Sequence, residues 1–397
     1  MYVGRGDELV RRYVRELGLA FAPSPPAAHL SSVYHLRGRR IVAPQGGEMA
    51  WPFALTDAER AAGFGGLWKA HVRSLVDRYI AAAAEGTVER LEVELDAMSF
   101  AEALRLGGAS NAAIDVFRTG YLDGFGDGFE SVSAFAIVRE LARPRLATKP
   151  AASFDRIEGG SDRLPEALAA RLRDRVRYEM RVDRIEQEVD GVVVTLANGP
   201  KAVTVLADRV IVAVPPRVLA TIAGGWLSEE RRRDLRALGS TSVARVFFQC
   251  GRRFWQERGE AGPASTDRSV RWLIDDTSAQ PGPRGILSGY ATANAARELA
   301  KLDEAERVAA ASADVGAVHP GLAENLERTT SYCWDSDPLA QGAHSAPGPG
   351  QVPLIRKLAH LEGRISFAGE HLSEAPGWME GAIASGLLAA RALAQSG

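Results

Sequence analysis

Residues 364–386 read Arg364-Ile-Ser-Phe-Ala-Gly-Glu-His-Leu-Ser-Glu-Ala-Pro-Gly-Trp-Met-Glu-Gly-Ala-Ile-Ala-Ser-Gly386. Ile365-Ser-Phe reads as a short buried strand, and Ala368-Gly369 carries the chain to its carboxyl end, where Glu370 follows. Trp378 comes next, and Gly381 and Gly386 lie on the early turns of a small-residue helix from about 377 to 394. A strand that runs into a glycine-lined helix start offers free backbone N–H groups at the positive end of the helix dipole. That is a ready seat for a pyrophosphate or the edge of a ring. The same glycines also suit a close strand–helix packing turn, and the segment alone leaves both readings open.

Working outward, Val210-Ile-Val-Ala-Val before Pro215-Pro216 is a continuous β-branched run of the kind found in buried strands. Gly159-Gly-Ser-Asp-Arg-Leu-Pro opens a helix through Leu172. Strands are expected at 176–178, 182–189 and 192–196, with a turn at Ala197-Asn-Gly, and again at 242–250, 270–275 and 286–291. Leu299 to Ala311 reads as a helix. Near the start, Leu9, Val10, Tyr13, Val14 and Leu17 recur at helical spacing over 7–19, with Gly18 as the stop. A Pro/Ala-rich connector covers 21–28, strands cover 32–43, and helices cover 56–145 with Asp57, Ser99 and Ser131 as N-caps. The Gly-rich stretch 120–128 interrupts them. The pattern predicts an α/β plus α+β fold.

Composition narrows the function classes. At 397 residues, two or three domains fit. Hydrophobic content of 46% and charged content of 25% exclude a disordered or fibrous chain. A net charge of -2 offers no basic field for nucleic acid and no polybasic membrane patch. Two Cys and seven scattered His exclude a disulfide scaffold and argue against a metal site. Cys250 and Cys333 read as buried small residues. The start shows no signal-peptide pattern and no apolar run spans a bilayer, so the sequence predicts a soluble, cytoplasmic protein.

Phe367-Ala-Gly-Glu, followed by Gly377-Trp-Met-Glu-Gly-Ala, resembles the carboxyl-terminal flavin-binding segment of the flavin-containing amine oxidases, which include monoamine, polyamine and L-amino acid oxidases. Tyr2-Val-Gly with the helix to Gly18, Gly159-Gly-Ser-Asp-Arg-Leu-Pro, Val210-Ile-Val-Ala-Val-Pro-Pro and Phe254-Trp255 resemble further family segments in the same order. The resemblance implies a two-domain fold. Residues 1–28, 150–225 and 352–397 would form a discontinuous, incomplete Rossmann-type FAD-binding domain, and 29–149 with 226–351 a mixed-sheet and helical substrate domain.

Carried over onto this chain, the resemblance places Glu370 at the ribityl or pyrophosphate region. Gly369, Gly377 and Met379 would lie near the ring system, and Val182 would present its backbone to the adenine. Trp378 matches one wall of an aromatic cage and Trp334 the aromatic beside the ring. Stacked apolar walls desolvate an ammonium and favour the neutral amine that gives up a hydride.

Three departures qualify the resemblance. His344 stands where the second cage aromatic is common, and Ala343 stands where some relatives carry a flavin-linking Cys, so FAD would be non-covalent. Arg245 stands where most relatives have a Lys that holds a water against flavin N5, and Arg stays charged. No strand–G-x-G-x-x-G–helix unit is present in the sequence; Gly124-Phe-Gly126-Asp-Gly128 lacks the spacing and reads as a loop. A small partner chain supplying that unit, a truncation, or loss of FAD each explain this, and self-association is left open. The expected reaction is oxidation of an amine C–N bond, with hydride passing to flavin N5, an imine product and O2 reduced to hydrogen peroxide. Met1-Tyr2-Val3 at the place of a carboxylate-clamping Arg favours an amine without a carboxylate, or a bulky natural-product intermediate, over a free α-amino acid. An L-amino acid oxidase-type subunit and a non-catalytic, degenerate scaffold are the alternatives. Asp275-Asp276 faces opposite ways on a strand, so it is not read as an acid–base pair.

Overall fold

The computed structural model describes residues 3–4, 6–22, 30–44, 49–120, 124–146, 154–198 and 201–395. The expected segments at Tyr2, 23–28, 121–123 and Gly199 therefore fall outside the described residues. Among the described residues the largest sheet has seven strands. Their order is Leu326–Cys333, Val243–Cys250, Gly285–Thr292, Trp272–Asp275, Glu260–Thr266, Ser31–Leu36 and Arg39–Val42. Neighbours run antiparallel except Glu260–Thr266 beside Ser31–Leu36.

The alternation of Val243-Ala-Arg-Val-Phe-Phe-Gln-Cys gives this sheet two unlike faces. Val246, Leu273, Ala264 and Val33 turn to one side and pack on Ala311, Val315 and Val318 of the helix Glu304–Val318. That helix starts in a capping box of Asp303 and Glu306. The cap divides the single helix expected over 299–311 into Ala293–Lys301 and Glu304–Val318. Arg245 and its cross-strand neighbours turn to the opposite face, toward a bundle of helices between Asp57–Leu67 and Ala134–Leu146. Leu91, Phe100, Ile114, Phe129 and Phe135 form the bundle's core. Ser99 caps Phe100–Leu106 as expected. The other two caps shift: Thr56, boxed with Glu59, replaces Asp57, and Ser133 replaces Ser131, since its Oγ accepts from Ala136 N at 3.3 Å.

Smaller sheets complete the architecture. Arg181–Gln187, Val192–Asn198 and Lys201–Ala207 form a meander, and Val176–Tyr178 stays outside it. Val210–Val212 and Ile365–Phe367 pair in parallel, and His344–Ser345 pairs with Ser240–Thr241. Val3–Gly4 pairs with Phe154–Asp155. The tail helix Met379–Gln395 lies against Glu8–Glu16, with Val3, Val10, Val14, Met379 and Ile383 in one cluster. The Glu380 carboxylate accepts from Leu9 N at 3.0 Å and Val10 N at 2.9 Å, so it satisfies two of the donors a helix start leaves open. The beginning of the sequence is thereby held against its tail.

Candidate active site

The segment Gly369–Glu380 is organised by one carboxylate. Glu370 accepts from Ser345 N and Ser345 Oγ, each at 3.0 Å, and from Gly377 N at 2.6 Å. This ties the His344–Ser345 strand to the turn before the tail helix. At Gly377 φ is +81°, and an added Cβ would stand 3.2 Å from His344 Nδ1. The imidazole thus lies directly on the bare backbone of Gly377, and Phe125 meets its ring edge-on at 5.4 Å. At Gly369 φ is +154°, and a Cβ would meet the buried His371 ring at 2.2 Å. Burial pushes the His371 pKa down. Gly381 is required by close packing, because a Cβ there would meet Ala375 O at 2.3 Å.

Trp378 follows Gly377 and is held on its ring faces. The Arg143 guanidinium lies over the indole at 4.6 Å, and Phe154 stacks on it at 6.0 Å with planes 5° apart. Arg143 in turn sits 3.6 Å from both Glu140 and Asp7. Burial pushes the Glu140 carboxyl up to about 7. Phe154 and Arg156 are two residues apart on an extended segment, so both point the same way. Arg156 reaches Asp276 at 3.6 Å, and Asp276 accepts from Arg245 Nη2 at 3.1 Å. Arg245 also donates to Ser288 Oγ at 2.5 Å. The short segment 154–156 therefore links Trp378, through Phe154, to Arg245, through Arg156 and Asp276.

Arg245 belongs to a row. Reading across the sheet, direct cross-strand partners are Tyr332, Arg245, Tyr290, Trp272, Ser265 and Tyr34. Direct partners share a face, so this row floors the open side. Burial raises the Tyr290 phenol's pKa. Trp334 closes the near end, its ring 4.9 Å from that of Tyr332.

The structure thus brings Glu370, Gly377, His344 and Trp378 together and links them to Arg245 and Trp334. Gly369 precedes this group directly. Met379 packs its side chain against Val3, Val10 and Val14, which leaves its backbone, at the first turn of the tail helix, as the part able to meet a ring. Val182 lies in the meander and packs against the cluster that contains Phe367 and Leu372, the residues flanking Ala368–His371. Sequence reasoning missed Phe125, Glu140, Arg143, Phe154, Arg156 and Asp276. An aromatic inside the Gly-rich loop was a signal for Phe125, and a Glu–Arg pair at i,i+3 was one for Glu140 and Arg143. Asp276 carried none, because its pairing with Arg245 spans 31 residues.

Two buried polar atoms near this cleft have no hydrogen-bond partner, Arg245 Nε and Ser366 Oγ, whereas the Trp378 indole is turned to the Glu140 carboxyl. Unpartnered donors beside stacked aromatic surfaces suit a planar heterocycle rich in acceptors, so the residues present fit a flavin. Among the described residues no trio of metal-ligating side chains converges, and no helix is long and apolar enough to cross a membrane.

Comparison with known proteins agrees with this geometry. Wild-type putrescine oxidase bound to putrescine superposes with a TM-score of 0.80 at 21% identity, covering 99% of this chain and 87% of that one. Cyclohexylamine oxidase from Brevibacterium oxydans gives 0.77 at 20% identity, covering 100% and 87%. At such identities the likeness establishes the fold. The flavin-dependent L-tryptophan oxidase RebO of Lentzea aerocolonigenes is 32% identical over 248 residues, 60% of this chain and 52% of that protein. An L-amino-acid oxidase of Bothrops pauloensis is 29% identical over 249 residues, 60% of this chain and 49% of that protein. The chain spans about half the length of the curated relatives it matches. The sequence profile of the flavin-containing amine oxidoreductases matches residues 1–394, and the chain belongs to that family.

Proposed function

We propose that this chain forms the substrate face and part of the cofactor seat of an FAD-dependent enzyme that oxidises the C–N bond of a small-molecule amine. The observation that carries the reading is that the segment 154–156 bears Phe154 on Trp378 and Arg156 on Asp276, the partner of Arg245. In this reading 1–28, 150–225 and 352–397 serve the cofactor, and 29–149 with 226–351 line the substrate. Trp226, Leu227, Leu235 and Leu238 pack with Val212 and Phe367, which extends the cofactor half to about 238.

A bound flavin supplies a two-electron acceptor. Glu370 holds the Ser345 and Gly377 loops at fixed spacing, and the backbone from Gly369 to Met379 offers donors to the ring. His344, seated on Gly377 and against Phe125, is the wall that would exclude water and favour a neutral amine, while the Trp378 indole, expected as the other wall, is instead covered by Arg143 and Phe154. Arg245, fixed by Asp276 and Ser288, keeps its charge and orients polar groups without moving a proton. Ala343 offers no side chain for a covalent link, so FAD is held non-covalently.

The strands Val210–Val212 and Ile365–Phe367 have no other neighbour among the described residues. Ile211 is exposed, and the Ser366 hydroxyl is buried without a partner. A parallel pair with open edges invites further strands. This supports a separate segment that carries the G-x-G-x-x-G unit. Cys250 and Cys333 are both free and buried, which is consistent with a reducing, cytoplasmic setting.

A second reading, oxidation of an L-amino acid, is favoured by two guanidinium groups, Arg245 and Arg156, that meet at Asp276, since guanidinium forks are the groups best shaped to grip a carboxylate. Purifying the chain alone and with its neighbouring open reading frames, recording flavin absorbance, and assaying peroxide with matched amine and amino acid pairs tests both readings. A colourless, inactive protein in every preparation overturns the oxidase.

A further inference from the structure

A cluster of ionisable side chains from three elements gathers around Trp378. Asp7 precedes the helix Glu8–Glu16, Glu140 and Arg143 stand one turn apart on Ala134–Leu146, and Glu380 lies in the first turn of the tail helix. The side chains of Asp7 and Glu140 are 7% and 10% exposed. Two of the three carboxyls are spent on backbone donors: Asp7 accepts from Gly4 N at 2.7 Å, and Glu380 from Leu9 N and Val10 N. Glu140 instead faces the indole of Trp378 and, at 3.6 Å, the Arg143 guanidinium. Arg143 serves all three carboxyls, since it also lies 3.6 Å from Asp7 and acts on Glu380. Three carboxyls around one such guanidinium retain a proton. Glu140, which has no backbone donor among the described residues, is the one that holds it, and burial pushes its pKa up to about 7.

This carboxyl reaches the amine site by two routes. The first is the indole, whose ring is also covered by Arg143 at 4.6 Å and Phe154 at 6.0 Å. Trp378 follows Gly377, whose N–H is bound by Glu370 and whose bare backbone seats His344. The second route is a cavity of about 10 Å³, room for roughly one water, which Glu140 lines together with Arg139, Glu374, Phe125 and Ser345. Phe125 is the ring that meets His344 at 5.4 Å, and Ser345 is the neighbour of His344 in their short strand. The charged groups facing Glu140 are thus Asp7, Arg139, Arg143 and, across the cavity, Glu374, with Glu380 acting through Asp7 and Arg143.

We infer that Glu140 is a positioning residue for the His344 wall, holding Trp378, and through it Gly377, by the indole edge. A carboxylate accepts a hydrogen bond roughly twice as strongly as a neutral group. The charged form therefore grips the indole harder, even though burying that charge costs the fold stability. Above pH 7 the turn is held tightly; below it Glu140 is neutral and the grip relaxes. This rests on the oxidase reading above only for its effect on turnover, and the grip on Trp378 does not depend on that reading.

Tryptophan emission of the purified chain tests the grip apart from the chemistry. The difference between the parent and Trp378→Phe isolates one indole, and it is expected to change with pH through a single inflection near 7. In a Glu140→Gln background the same difference is expected to be flat, and Glu140→Asp restores an inflection. No inflection in the parent, or the same inflection in E140Q, overturns the inference. Where W378F fails to fold by far-UV circular dichroism, the parent and E140Q are compared directly, and the same two outcomes decide. Peroxide assays of the flavin-loaded enzyme with an amine it oxidises form the second arm. E140Q is expected to lower kcat/KM roughly three- to tenfold at about pH 8 and to leave it unchanged at about pH 6. An equal loss at both pH values marks a merely structural role and overturns the positioning. Absence of peroxide with every amine refutes the oxidase reading instead, and the emission data then decide the grip alone.

Discussion

Arg245 and Asp276 are joined at 3.1 Å, although the strand that Asp276 follows, Trp272–Asp275, is separated from Val243–Cys250 in the sheet by Gly285–Thr292. Arg156 approaches the same carboxylate at 3.6 Å from outside the sheet. Asp276 is therefore the point where two guanidinium groups from distant parts of the chain are balanced. Replacing it with Asn removes the carboxylate charge that both cations face. The pair is partly exposed, at 17% and 28%, so the loss is smaller than for a fully buried bridge. Asp276→Asn is expected to lower stability by about 1–2 kcal/mol in urea unfolding. An unchanged midpoint would show that Asp276 does not hold the two cations.

Arg245 itself makes a kinetic prediction. Its Nη2 is committed to Asp276 and Ser288, and a guanidinium does not release a proton at working pH. A lysine at this position has a smaller, more easily titrated head group. Arg245→Lys is expected to raise peroxide-forming turnover severalfold, a small part of the roughly 10²–10⁴-fold that a well-positioned proton donor supplies. Equal rates in the two proteins would remove Arg245 as the brake.

Glu370 accepts three hydrogen bonds from two segments. A glutamine has the same shape but turns an NH2 group toward one of these donors. Glu370→Gln is expected to cost about 2–4 kcal/mol, because bonds to a charged acceptor are worth about 1.5–3 kcal/mol each. It should also release flavin on gel filtration. Full flavin retention with unaltered melting would show that the carboxylate does not organise this turn.

The sequence made the tail legible because its signals are local. Phe367-Ala-Gly-Glu and Gly377-Trp-Met-Glu-Gly lie within fifteen residues, and Glu370, Gly377 and His344 do converge. The regular strands Val243–Cys250 and Gly285–Thr292 were readable from alternation. Glu260–Thr266 and Leu326–Cys333 were not, since Glu260-Ala-Gly-Pro-Ala-Ser-Thr is small and mixed, and much of Leu326-Glu-Arg-Thr-Thr-Ser-Tyr is exposed. The partners of Trp378 and Arg245 stayed hidden for another reason: contacts between residues 143, 154 and 378 depend on topology, which no local period encodes. The role of Gly381 was also ambiguous in sequence, and only the position of Ala375 O resolves it in favour of packing.

Glu140 predicts a pH dependence. Its folded pKa, about 7, lies above the ordinary value of 4.5 because burial disfavours the charged form, and this outweighs the neighbouring Arg143. Trp378, Asp7 and Arg139 also face it. Between pH 4.5 and 7 the folded state therefore holds a proton that the unfolded chain has released. The contribution to stability is complete below pH 4.5, falls as pH rises to 7 and is constant above. At about 1.4 kcal/mol per unit the whole loss is about 3 kcal/mol. Glu140→Gln has no proton to lose, so its melting temperature should fall less than the parent's between pH 5 and 7.5, by several degrees. Parallel melting curves across that window would exclude Glu140 as the titrating group.

Gly381 and Gly386 lie five residues apart on the tail helix and predict opposite results. A Cβ at Gly381 would meet Ser373 Oγ at 2.2 Å and Ala375 O at 2.3 Å. The second is backbone and cannot rotate away, so the turn that carries Gly377 and Trp378 must shift. At Gly386 nothing lies within 4 Å. There an added methyl meets open space, and alanine is favoured over glycine inside a helix by about 1 kcal/mol. Gly381→Ala is expected to destabilise by more than about 2 kcal/mol, the cost of overpacking a tight contact. Gly386→Ala should raise stability by about 0.5–1 kcal/mol. Chemical denaturation of the two variants side by side is the check. If both lose stability equally, the helix is held close along its whole length, and the distinction between a packing glycine and a free one fails.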